Sequence, residues 1–324
     1  MVPLGVLGLV GYLADTQDLK EIGAIVWAAT TTIPPNNPSQ VAILRWYPAN
    51  LTTSFGVGSG PNGVAFDGAS MWVMNYSSNT VTKLLANDGT VLATFTVGSG
   101  PDGAAFDGAN MWVINYGSNN VTKLRASDGS TLGTFPAGTG PNGVAFDGAN
   151  IWVANFTSNN VTKLRASDGS NLGTFPTGGT GAVGVAFDGT NIWVANSTTN
   201  NLTELRASDG ANVGTFTTGG TNPTNPCFDG ANIWVANVKS NNVTKLRASD
   251  GANLGTFAVG TSPFDVVFDG ANIWVVNANS VTKLKASNGS KVGTFTVIAF
   301  PGGAAFDGAN VWITNGSSNT VFKL

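Results

Sequence analysis

One phrase, repeated seven times, constrains this chain more than anything else in it. Phe-Asp-Gly begins at Phe66, Phe106, Phe146, Phe187, Phe228, Phe268 and Phe306, at spacings of 40, 40, 41, 41, 40 and 38 residues. A tryptophan follows each phenylalanine by six residues, from Trp72 to Trp312. A period near 40 belongs to architectures that stack one supersecondary unit many times.

One unit, residues 141–175, parses into four strands: a (143–146), b (151–155), c (161–166) and d (172–175). Asp147-Gly148 turns a into b, and Asp168-Gly169 turns c into d. Asp-Gly between short β-branched and aromatic runs marks a hairpin, because glycine accepts positive φ without steric penalty. Four antiparallel strands per period describe a propeller blade. Strand a alternates large and small, as in Val144-Ala145-Phe146. Successive side chains face opposite sides of a sheet, so Val and Phe cover one face and Ala the other. A bulky face can then lie on a neighbour's small one, and only a closed ring covers both faces of every blade. The expected fold is an all-β, closed β-propeller forming a single domain over residues 1–324.

Residues 56–324 hold the seven regular repeats, and residues 1–55 read as a degenerate one. Residues 25–29 match strand b, 41–45 match strand c and 51–55 match strand d. The sequence closes on a strand c without its strand d, so an N-terminal segment is expected to complete the last sheet. Residues 51–55 would give seven blades, with residues 1–50 outside the ring. Residues 4–10 would give eight, and eight is the favoured count because every strand-like run then has a place. Residues 1–14 are apolar but lack the positive start of a secretory signal. No run is long enough to cross a membrane as a helix.

Composition narrows function mainly by exclusion. Only 10% of residues are charged, and the net charge is −3. Two thirds of the 18 acids sit in the two Asp-Gly turns. Twelve of the 15 bases fall in or beside strand c, which leaves no basic stripe for nucleic acid. Cys227 is the only cysteine, and there is no histidine. The usual general base, transition-metal ligand and physiological-pH switch are therefore missing. No catalytic residue and no cofactor are expected.

Two constellations remain. Asp67, Asp107, Asp147, Asp188, Asp229, Asp269 and Asp307 would ring one mouth of the channel, where oxygen ligands suit Ca²⁺ or Mg²⁺. The plainer reading, and the stronger, is that each caps its own turn. On the other side, the b–c loops and d–a links vary between repeats while the Asp-Gly turns scarcely do. Tyr76, Tyr116 and Phe156 share one b–c position in successive units. They are the candidate ligand contacts, since loops on a rigid scaffold are where binding usually resides.

From Pro61 onward the pattern Pro-Asn-Gly-Val-Ala-Phe-Asp-Gly-Ala-Asn-Ile-Trp-Val-Ala-Asn resembles the NHL and YVTN families of bacterial β-propeller repeats, and the virginiamycin B lyase propeller superfamily. The resemblance spans about four fifths of the chain. It implies prokaryotic proteins that bind partners, extracellular or at the cell surface. The lyase resemblance implies a catalytic His, acidic residues and Mg²⁺. With no His and only Glu21 and Glu204 as glutamates, that set is not carried over. The expectation is a non-catalytic module that binds a protein or a glycan at the cell surface or beyond. A metal-dependent lyase or hydrolase and a scaffold subunit are the alternatives, and a cytoplasmic location stays open.

Overall fold

The structure, a computed structural model, describes residues 53–297 and 301–324. Their 28 strands form seven four-stranded antiparallel sheets and no helix. Among the described residues, no helix is long and apolar enough to cross a membrane. The sheets are blades 1 to 7 in chain order, each with strands a to d from the channel outward. In blade 3 these are Pro141–Phe146, Asn150–Asn155, Asn160–Arg165 and Asn171–Pro176. Each strand a packs beside that of the next blade, and that of blade 1 beside that of blade 7, so the ring is closed.

Seven hydrophobic clusters fill the seven joints. At the joint between blades 1 and 2, Ala65, Trp72 and Met74 of one blade meet Met111, Val113 and Phe106 of the next. The alternation in strand a thus works as the sequence suggests. Glycine early in strand a lets the inner strands converge: a Cβ on Gly143 would lie 2.3 Å from the carbonyl oxygen of Val183 in the next blade.

The ring has seven blades and not the favoured eight. Blade 7 comprises Pro301–Phe306, Val311–Asn315 and Thr320–Lys323, and Ser54–Gly56 supplies its strand d. The register is Ser54↔Phe322, Phe55↔Val321 and Gly56↔Thr320. The slot demands an aromatic ring. Phe55 sits 5.4 Å from Trp312, as Phe135 sits 5.4 Å from Trp112. Its other side lies against Gly89 of blade 1, where even a Cβ would overlap the ring. Residues 4–10 contain no aromatic residue and could not make this contact. Of the degenerate repeat read at residues 1–55, residues 1–52 lie outside the described residues.

Neighbouring blades are also joined by polar side chains on both faces. On the loop face, Asn79, Asn119, Asn159, Asn200, Asn241 and Asn319 adopt positive φ in their b–c loops. Each offers Oδ1 to an amide of the following d–a link, as Asn119 does to Gly140 at 2.8 Å. On the turn face, strand-c lysines reach across to the next blade's c–d turn, as Lys163 Nζ does to Ala207 O at 2.6 Å.

Candidate functional site

The channel opens on the loop face through a mouth lined by the first residues of each strand a. Among these are Asn62, Asp102, Asn142, Asn225 and Asp265, set against the apolar Val64, Val144 and Val185, around a cavity of about 390 Å³. Asp102 organises one side. Asn62 of the preceding blade donates its side-chain amide to Oδ1, and Asn142 of the following blade donates to Oδ2 at 2.7 Å. Three successive blades are thus tied by one carboxylate. Its removal from water pushes the carboxyl up to about 7, and the Asn62 amide offsets only part of this.

Asp265 lies opposite in the sequence of blades and is 8% exposed. Its Oδ1 accepts the Val266 amide at 3.0 Å, and its Oδ2 accepts the Ala304 amide of blade 7 at 2.7 Å. Burial raises this carboxyl to about 6, against the backbone amides and Asn225, which lower it.

The three aromatic residues picked from the loops stand around this mouth. Tyr76, Tyr116 and Phe156 share a groove of about 350 Å³ with Asp102, Asn142 and Val183. Each loop is held to its own d–a link: the amides of Tyr76, Tyr116 and Phe156 donate to the carbonyls of Gly60, Gly100 and Gly140 at 2.8–2.9 Å. Tyr76 and Tyr116 lie 6.5 Å apart between ring centres at a tilt of 46°. Glycine in the next link makes room for each tyrosine ring, since a Cβ on Gly100 would stand 3.2 Å from Tyr76 and one on Gly140 3.3 Å from Tyr116. Tyr76 is 38% and Phe156 36% exposed, so both present apolar surface to solvent.

The Phe-Asp-Gly aspartates sit on the opposite face, in the a–b turns. Asp147 shows the pattern. Oδ1 accepts the amides of Ala149 and Asn150, and Oδ2 accepts Trp152 Nε1 at 2.7 Å. Burial acts to raise its carboxyl, but Trp152, Asn150 and the two amides outweigh it and hold the group low. The same donors surround Asp67, Asp107, Asp188, Asp229, Asp269 and Asp307 in their own turns. These carboxylates anchor the tryptophans rather than converge on one point. Among the described residues, no three His, Cys, Asp or Glu side chains group as metal ligands would. The asparagines ending strand b are fully buried. Asn155 Nδ2 donates to Asn160 Oδ1 and Thr162 Oγ1 of strand c, as part of the sheet and away from the channel.

The reading of the sequence missed Asp102 and Asp265. Both depart from the repeat: Asp102 stands where two neighbouring units have Asn62 and Asn142, and Asp265 where Gly143 stands. Comparing the acids unit by unit would have exposed them.

No protein family and no curated protein is matched by the sequence. Solved structures do match in fold. Hydrazine synthase of Kuenenia stuttgartiensis superposes with a TM-score of 0.73 at 18% identity, over 82% of this chain and 95% of that one. Selenomethionine-substituted virginiamycin B lyase from Staphylococcus aureus gives 0.71 at 16%, over 83% and 97%. A catalytically inactive variant of that lyase with quinupristin gives 0.69 at 18%, over 82% and 94%. The expected resemblance to the lyase propeller is thus met at the level of fold.

Proposed function

We propose that the protein is a non-catalytic binding module whose loop-face mouth takes a hydroxyl-rich ligand of the carbohydrate class, at the cell surface or outside the cell. The observation that carries this reading is the adjacency of two kinds of contact in one groove. Tyr76, Tyr116 and Phe156 offer flat apolar faces, and Asp102 and Asn142 offer a carboxyl and an amide held in place by their own hydrogen bond and by Asn62 beyond the groove. Sugar rings present one apolar face and a rim of hydroxyls, so both halves of the groove are used at once. Polar groups already bonded to one another are held in place, which limits the ordering penalty on binding. The low charge of the chain suits a neutral glycan. The location rests on the resemblance to extracellular repeat proteins.

The test is titration of a panel of neutral, aminated and uronic-acid oligosaccharides, followed by amide chemical shifts. Saturable shifts confined to blades 1 to 3 are expected, and the sugar should be recovered unchanged. Alanine at Tyr76, Tyr116 and Phe156 should weaken binding at least tenfold, while stability changes by no more than about 0.5 kcal/mol at each of the exposed sites Tyr76 and Phe156. No response to any saccharide, or binding indifferent to the triple substitution, would overturn the reading.

A further inference from the structure

In six of the seven blades a strand-c lysine lies over the tryptophan of its own blade, with Nζ 4.3–5.5 Å from the ring centre. In five of them Nζ also donates to carbonyls of the next blade's c–d turn. Lys83 and Lys283 additionally stand 3.6 and 3.5 Å from the turn aspartates Asp67 and Asp269. The repeat thus builds an ammonium site from an indole face, an aspartate and main-chain oxygens, and fills it from within.

Blade 4 keeps the site and lacks the ammonium. Its strand c, Asn201–Arg206, carries Glu204 in place of lysine, and this side chain is only 5% exposed. Trp193 Nε1 still donates to Asp188 Oδ2 at 2.8 Å. Asn191 differs from its counterparts: Asn150 donates to Asp147 of its own turn, whereas Asn191 turns to Glu204 Oε1 at 2.6 Å. Among the described residues, no cation lies over the Trp193 ring and no donor reaches the carbonyl oxygens of Ala248 or Ser249. A groove of about 330 Å³ opens between blades 4 and 5 against Asp188, Glu204, Ala248 and Ser249.

We propose that this groove binds a primary ammonium group supplied from outside the chain. Its Nζ-like head would lie beside Trp193, between Asp188, Glu204 and the two free carbonyls, where five other blades place their own lysine head. A buried charge persists only when paired, and among the described residues neither Asp188 nor Glu204 has a cation within salt-bridge distance. Burial first, and then the Asp188 charge, push the Glu204 carboxyl up, and an arriving cation would relieve both. The corresponding place in six other blades holds a lysine ammonium against its indole, which favours an ammonium over a hard metal ion. The amine can be a free alkylammonium or the lysine of a protein partner.

The experiment titrates n-butylammonium chloride at constant ionic strength and follows the Trp193 indole Nε1–H resonance. A saturable shift is expected in the wild-type protein and none in Glu204→Lys, which restores the internal amine and should melt at higher temperature. Glu204→Met, which fills the site without charge, gives the same comparison if the lysine variant folds poorly, and should lose the response. A capped Gly-Lys-Gly peptide separates the two sources: tighter binding than butylammonium marks a protein lysine, and equal binding marks a free amine. No saturable shift in the wild type, an equal shift in the variants, or a response to calcium chloride but not to butylammonium would overturn the proposal.

Discussion

At the scale of the residue, the same side chain does opposite things on the two faces. Asp147 in its a–b turn is surrounded by donors that hold its carboxyl low, whereas Asp102 at the mouth loses water, which raises its own. The sign of its pH effect follows. The folded protein keeps the Asp102 proton up to about pH 7. The unfolded chain releases it near pH 4. Stability from this group is therefore full below about pH 4, falls as pH rises toward 7, and is flat beyond. Asp102→Asn removes the titration and leaves Asp265 to act equally in both proteins. Urea midpoints at pH 4.5 and 8 should show the variant gaining on the wild type at the higher pH, and a constant gap would contradict this. Asp147→Ala leaves Trp152 Nε1 and two amides without their acceptor, at about 1–3 kcal/mol. Calcium should not alter the melting temperature of the wild type, because these oxygens are already engaged.

At the scale of the element, strand order and turn chemistry were readable because each blade repeats the same letters. Residues 141–175 gave four strands that the structure reproduces to within a few residues. What the repeat hides is any position where it is broken for a purpose. Asp102, Glu204 and Asp265 are the acids of the described region that lie outside both Asp-Gly turns. All three have their carboxyls raised by burial. The aromatic loop residues were legible since variation beside constancy points to a surface, but their meeting with Asp102 needed the inward turn of strand a. Blade count failed for a different reason. Counting strand-like runs treats every run as equal, whereas the closing slot selects for one phenylalanine between Trp312 and Gly89. Phe55→Ala should therefore lower stability by about 3–5 kcal/mol, as expected of a packed phenylalanine. Denaturant unfolding compared with Phe135→Ala checks this: the closing residue should cost at least as much, because its strand has only three residues to hold it.

At the scale of the whole molecule, the ring is only as firm as its least-joined pair of blades. At the joint of blades 6 and 7, strand a of blade 6 is only Asp265–Phe268, four residues long where that of blade 5, Pro223–Phe228, has six. Trp274 at that joint is 8% exposed, while the corresponding Trp152 and Trp234 are fully covered. Asp265, which accepts the Ala304 amide of blade 7, is a polar tie across it. Native-state hydrogen exchange should find the lowest-energy opening in blades 6 and 7, and Asp265→Ala should speed exchange there and not in blades 2 and 3. Uniform protection around the ring would refute this. The pairing of Ser54–Gly56 with Thr320–Phe322 also sets a timetable for synthesis. At about 5–20 residues per second, the first of these strands waits on the order of half a minute on the ribosome for its partner. Throughout that wait the apolar side of blade 1 has nothing to lie against, so a nascent chain must shelter it, or have it sheltered, until blade 7 has been made.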